Sequence, residues 1–190
     1  MVAFHQTRRS RVRPRPQVPK SSSRRRSLTG WSRDAVRQMS RSRARTLALV
    51  DRLPPDALRR PRTQAAWSIG DVLAHIAAWE AEGTRRLELI ARGRGNRIVW
   101  YDTKVELDAF NARVVRAARH LSRGALLRQL SDTRARLVRT LRRLPPSALA
   151  DPSHALPVTR WLREFAWTHE AAHRHAIRAW RPARSLKERS

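Results

Sequence analysis

The stretch "WTHEAAHRHAIRAW" at 167–180 carries His169 and His173 one helical turn apart, and "WSIGDVLAHIAAWE" at 67–80 carries His75 among Ala and Trp. Neutral imidazole is the common protein ligand for a divalent ion near neutral pH. Three such rings meeting at one point would be a metal site. On a helix advancing about 100° per residue, with Leu162 as origin, His169 falls at about −20° and His173 at about +20°. Both lie within the apolar stripe. With Val72 as origin on the earlier segment, Ile76 falls at about +40°, Trp79 at about −20° and His75 at about −60°, at the edge of the buried arc. His175 and His120 fall on polar sides, and His154 stands in a loop between prolines.

A lone inward histidine is ordinarily a hydrogen-bonded core residue. An i, i+4 pair is different, because each buried imidazole left without a partner costs on the order of 1–3 kcal/mol. A bound ion removes that cost, and a third imidazole from a facing helix would complete a three-ligand set. "HEAAH" at 169–173 also matches the H-E-x-x-H pattern of zinc proteases. Only residues 174–190 follow it, too few for the further ligand of those enzymes, and no strand borders it. A protease is therefore excluded. Glu170 lies at about +80° on the same wheel, flanking the pair. It is a candidate catalytic base, with a role beside the ligands or in a surface ion pair as the alternatives. Trp79 and Asn111 face inward and are candidate substrate-binding residues, packing being the alternative for Trp79.

The elements that must position these residues are helical throughout. Residues 34–53 place Val36, Met39, Leu47, Val50 and Leu53 near one side, and "LPP" stops them. Ser68 is a good N-cap with Asp71 three residues on, and Trp67 can staple onto Val72. That helix runs to about Ala91, where "RGRGN" breaks it. Thr103 and Glu106 form a second capping box before Leu107, Phe110, Val114, Ala117 and Leu121. Residues 125–144 continue with Leu127, Leu130, Leu137, Val138 and Leu141, again closed by "LPP". A last helix is expected over 158–180. The fold class is all-α: an antiparallel four-helix bundle with one additional short helix.

Composition sets the outer bounds. The chain has 190 residues, enough for one domain with a real core, and no apolar run long enough to span a membrane. No Cys is present, which removes disulfides and thiolate chemistry and fits a cytoplasmic protein. The formal charge is +27, almost all from Arg, so the surface should attract nucleic acid nonspecifically. No nucleic-acid recognition motif accompanies that charge. Residues 1–32 hold no acid, three prolines at 14, 16 and 19, and "SSSRRRS". They are expected to be a disordered basic arm, ahead of a bundle over 33–181 and a flexible tail over 182–190. No apolar segment follows the charges, as a secretory signal would require.

"W-S-x-x-D-V-L-x-H-x-x-x-W-E" from Trp67 to Glu80, "F-N" at Phe110 and Asn111, and "H-x-x-x-H-x-x-x-I-x-x-W" from His169 to Trp180 together resemble the DinB/DfsB superfamily. The likeness covers roughly residues 34–181, and its ClbS/DfsB branch is the most similar. The superfamily includes bacillithiol- and mycothiol-dependent transferases and the maleylpyruvate isomerase N-terminal domain. The resemblance implies a DinB-like four-helix bundle whose metal triad, carried over by position, is His75, His169 and His173. Zinc or nickel is the implied cofactor, with a low-molecular-weight thiol as a second one. The implied activity is that of a metal-dependent hydrolase or thiol transferase acting on an electrophilic small molecule, in detoxification or stress resistance. A noncatalytic, sequestering bundle with nonspecific DNA affinity is the rival reading, and a homodimer is compatible with either.

Overall fold

The computed structural model describes residues 21–59, 67–150 and 156–179. Its helices are α1 (Ser21–Asp51), α2 (Ile69–Ala91), α3 (Lys104–Ala118), α4 (Arg123–Arg143), α5 (Val158–Phe165) and α6 (Trp167–Ala179), joined in part by short 3-10 turns. The described residues form no strand, as an all-α class requires. None of their helices is long and apolar enough to cross a membrane.

Local chemistry sets most boundaries. Ser68 and Asp71 satisfy each other's backbone N–H at the start of α2, and Thr103 and Glu106 do the same for α3. At the end of α2, Gly93 takes φ 68°. That left-handed turn lets the Gly93 N–H reach Ile90 O at 3.0 Å and the Arg94 N–H reach Leu89 O at 2.8 Å. Orphan carbonyls of the last turn are thereby satisfied, and a side chain at position 93 would be strained. At the other end of α2 a Cβ on Gly70 would come within 2.9 Å of Leu58 O, so glycine permits this close approach.

Cross-links between helices give their directions. Arg123 donates to Val50 O at 3.2 Å while Arg134 donates to Met39 O, so α1 and α4 are antiparallel. Trp79 meets Asn111 and Asp71 meets Arg119, so α2 and α3 are antiparallel. Ser42 reaches Trp167 O and Arg174 reaches Thr46, so α1 and α6 run parallel. Successive long helices thus alternate in direction. The bundle is α1, α2, α4 and the α5–α6 pair, with α3 laid against α2 as the additional helix.

The interior is layered. One apolar core gathers Met39, Leu87, Leu137, Leu141, Trp161 and Leu162; the other gathers Val50, Ile69, Leu73, Ile76, Leu130 and Ile177. Each fully buried aliphatic side chain contributes about 1.5–3 kcal/mol, so both cores hold the helices strongly. Between them on α1 lie Ser42, Arg43 and Thr46, on α2 Glu80, on α4 Arg134, and on α6 Glu170, all buried. This polar layer was not anticipated by the stripe of apolar residues.

Three expectations need correction. First, α1 begins at Ser21, so helix extends into the stretch 1–32 expected to be a disordered arm. Leu28 and Trp31 continue the spacing of Ala35 and Met39 upstream and pack on the first core. Burial of those two side chains offsets the cost of ordering a serine- and arginine-rich turn. Residues 1–20 and the tail 182–190 lie outside the described residues, as do His154 and Trp180. Second, the helix expected over 158–180 is broken at Ala166, which has φ −120° and ψ −96°. Thr168 Oγ1 bridges the break by donating to Arg163 O at 2.7 Å. Third, Ala117 is exposed and Val115 is buried in its place, because α3 packs on one neighbour and needs only a narrow apolar stripe.

Candidate metal centre

α2 supplies His75 and α6 supplies His169 and His173. The Nε2 atoms of His75 and His169 stand 2.9 Å apart, and those of His173 and His169 also 2.9 Å. All three ligand atoms lie within 4.8 Å of one another. The ring centroids are 4.6–4.8 Å apart with interplanar angles of 62–81°, so the rings meet edge-on around their nitrogens. The sequence wheel brings together the same three residues. It does so although its origin, Leu162, lies beyond the break, because the restart at Ala166 returns the stripe to the interior.

This arrangement is poor as a hydrogen-bond network. A neutral imidazole nitrogen either donates or accepts, so His169 Nε2 cannot be well matched to both neighbours at once. The Nδ1 atoms of His75 and His169 are buried with no hydrogen-bond partner among the described residues. The arrangement is good as a ligand set. Nitrogens about 2.0–2.1 Å from a shared ion stand about 3 Å from one another, near the spacing of the two pairs that include His169. Protonation is also suppressed. Burial, then repulsion from His169 and His173, pushes His75 down to about 3. Burial and His173 push His169 down to about 3, and burial lowers His173. All three rings are neutral at pH 7, the form that binds metal. The residues present fit a divalent ion.

The two neighbouring tryptophans close the site. Trp67, just before the α2 cap, stands 4.9 Å from His75 between ring centroids. Trp79 is 6.2 Å from His75 and 6.4 Å from His169. Its indole Nε1 donates to Asn111 Oδ1 at 3.1 Å, so the two expected substrate-binding residues hold each other beside the triad. On its other side Trp79 lines a cavity of about 770 Å³, whose wall also includes Arg86, Trp100, Tyr101, Trp161 and Phe165. These cavity residues come from α2, the connection before α3, and α5. Phe165 stands in the apolar stripe of the last helix beside Leu162, whereas Trp100 and Tyr101 lie in the connection, where no periodicity marks them.

Glu170 is not placed as a base. Its side chain is fully buried, accepting from Arg43 Nε at 2.7 Å and from Arg134 Nη2 at 2.9 Å. Burial raises its pKa, but the two guanidiniums outweigh that and hold the carboxyl below its ordinary range. A carboxylate so engaged is a weak proton acceptor. It belongs to the polar layer, where Glu80 accepts from Arg43 at 2.8 Å and from Arg134. His120 and His175 are exposed, as their wheel positions require.

A family model described as the DinB superfamily matches residues 38–177, and the chain belongs to that superfamily. The matched span contains the whole triad. Neither the comparison with curated proteins nor that with solved structures gave a match.

Proposed function

We propose that the chain is a metal-dependent hydrolase or thiol transferase acting on an electrophilic small molecule, with zinc or nickel held by His75, His169 and His173. The observation that carries this reading is the convergence of three neutral imidazole Nε2 atoms from two helices. A divalent ion bound there supplies Lewis-acid polarisation and lowers the pKa of a water or a low-molecular-weight thiol that reaches it. The chain's own residues do the rest. Burial keeps the rings unprotonated, α2 and α6 fix their directions, and Trp67 and Trp79 limit the access of bulk water. Asn111 orients Trp79, which forms the partition between the triad and the aromatic cavity where the small molecule would sit. Glu170 moves no proton in this scheme; it anchors α6 to α1 and α4.

Metal analysis of protein made without a His tag, with zinc and nickel supplied, tests the reading. We expect close to one equivalent of metal, lost on chelation and sharply reduced by His75→Ala, His169→Ala or His173→Ala. His120→Ala and His175→Ala should retain it. An occupancy below about a tenth of an equivalent in the folded wild type would overturn the site, since a three-imidazole set should hold its ion through purification.

A further inference from the structure

The aromatic cavity beside the triad contains an unmet electrostatic demand. Arg86 is 1% exposed, one of the largest fully buried side chains of the protein. Its guanidinium stands 4.4 Å from the Trp100 ring centroid and 4.5 Å from that of Phe165. Nε donates to Glu82 at 2.8 Å and Nη2 to Val99 O at 3.1 Å. Nη1 lies behind the cavity surface, buried and with no partner among the described residues. Glu82 does not fully neutralise this charge, because both its oxygens also accept from Arg85 at 2.7 Å. A second buried donor without a partner, Trp161 Nε1, belongs to another wall of the same cavity. Native interiors seldom leave such donors unmatched, and a charged one is the costliest to leave.

The remaining wall has the complementary character. Trp79, Trp100, Tyr101, Trp161 and Phe165 present aromatic surface, and the exposed Arg160 and Arg163 add positive charge against one acid, Glu164. The volume of about 770 Å³ is that of a small-molecule site. Burial raises the Tyr101 pKa, so its hydroxyl keeps its proton and can donate. An apolar occupant would satisfy the rings and leave the donors bare, whereas a cation would be repelled by the three arginines.

We propose that this cavity binds a flat aromatic monoanion, a carboxylate drawn by charge toward the Arg86 side of the wall and whose ring lies among Trp79, Trp100 and Trp161. This names the charge and shape of the substrate class for the function proposed above, and it rests on that reading only for what happens after binding. Arg86 and Trp161 are specificity-determining residues in this scheme.

The test uses metal-free protein, titrated calorimetrically at fixed ionic strength with indole-3-acetate and with its uncharged analogue indole-3-acetamide. Wild type should prefer the acid by about tenfold, the scale of a charge-assisted pair in a partly desolvated site. Arg86→Gln should abolish that preference while leaving amide binding in place. Trp161→Phe loses the indole N–H and part of the ring system. The lost ring area weakens acid and amide alike, so the acid preference, which reads the N–H, should fall several-fold; this variant decides the matter if Arg86→Gln does not fold. Equal binding of acid and amide would overturn the proposal. So would absence of binding by either ligand, or an acid preference unchanged in Trp161→Phe and in folded Arg86→Gln, which would belong to the arginine-rich surface. Because no metal is present, these failures leave the triad reading untouched. A protein that binds the acid but never holds metal would fail only that earlier reading.

Discussion

Two buried polar clusters occupy the middle of this bundle, and they differ in completeness. In the Arg43–Glu80–Arg134–Glu170 layer, two carboxylates face two guanidiniums, and Leu130 O and Met39 O take further N–H groups. In the histidine cluster, three nitrogens of one kind converge, and the Nδ1 atoms of His75 and His169 have no partner among the described residues. The first cluster is closed by the chain itself. The second is left open by the described residues, as a ligand set that could hold a metal ion is. Saturation therefore separates architecture from function better than burial or polarity does, and it moves Glu170 from one category to the other despite its place inside the "HEAAH" motif.

Breaking the closed cluster should have the largest effect. Glu170→Gln leaves two buried guanidiniums facing one carboxylate, and removing one partner of a buried ion pair costs about 3–5 kcal/mol. Urea unfolding should show that loss, while metal per folded molecule stays unchanged. Adding Arg43→Met to Glu170→Leu restores a one-to-one balance and should recover much of the stability. The pH dependence follows from the depressed Glu170 pKa. A carboxylate with a folded pKa below its unfolded value stabilises above the ordinary carboxylate range, and that contribution is lost as pH falls through it. A Glu170→Gln variant as stable as wild type would mean that the layer is not the closed unit described.

A smaller loss is expected from truncating the chain to start at residue 33. Leu28 and Trp31 are half-buried against the first core, so removing them should cost about 2–3 kcal/mol and lower the melting temperature. An unchanged melting temperature would return residues 21–32 to the status of a dispensable arm. Metal content should be unaffected, since those contacts lie in the core remote from Ile177 and His75.

Much of the fold was legible because its signals are local. The capping boxes at Ser68 and Thr103, the "LPP" stops and the wheel positions of His75, His169 and His173 depend on residues within a few turns. What failed to show depends on distant partners. Arg43 stands on the stripe between Met39 and Val50, and Arg134 between Leu130 and Leu137, yet in a chain with 42 basic residues nothing marks these as the buried ones. Their carboxylate partners lie on other helices. The break at Ala166 carries no Gly or Pro and comes from packing. The start of α1 is masked because Leu28 and Trp31 are isolated among serines and arginines whose composition suggests disorder.

The open cluster should respond to acid in its own way. Histidines with a folded pKa lowered from 6.5 to about 3 are neutral in the native state and charged when unfolded. Their stability is intact above about 6.5 and is lost progressively as pH falls toward 3, because the unfolded chain takes up more protons. In metal-free protein, His75→Leu should remove one such group. Between pH 7 and pH 5 the wild type should therefore lose about 2 kcal/mol more than the variant, by the usual 1.36 kcal/mol per pKa unit. Identical pH profiles would show that His75 is not held neutral by burial. With zinc added at pH 7, only the wild type should gain melting temperature, since an ion bound by the native state alone stabilises it.

The smallest effect concerns the partition between the triad and the aromatic cavity. Trp79→Phe keeps a ring in contact with Phe110 and Phe165, at centroid distances of 4.8 and 5.1 Å in the wild type. It removes the indole N–H that Asn111 Oδ1 accepts at 3.1 Å, together with the five-membered part of the ring system. A single neutral hydrogen bond is worth about 0.5–1.5 kcal/mol net and the missing ring atoms add a packing loss of about the same size, with metal content unchanged. Asn111→Ala leaves the Trp79 N–H unmatched beside the histidines and should cost about 1–3 kcal/mol, because an orphaned donor carries its full desolvation penalty. The double variant should then cost less than the sum of the two, since the phenylalanine ring has no donor left to satisfy. A strictly additive double variant would show that the two residues act separately, and that Trp79 is held in place by its aromatic neighbours and not by the amide.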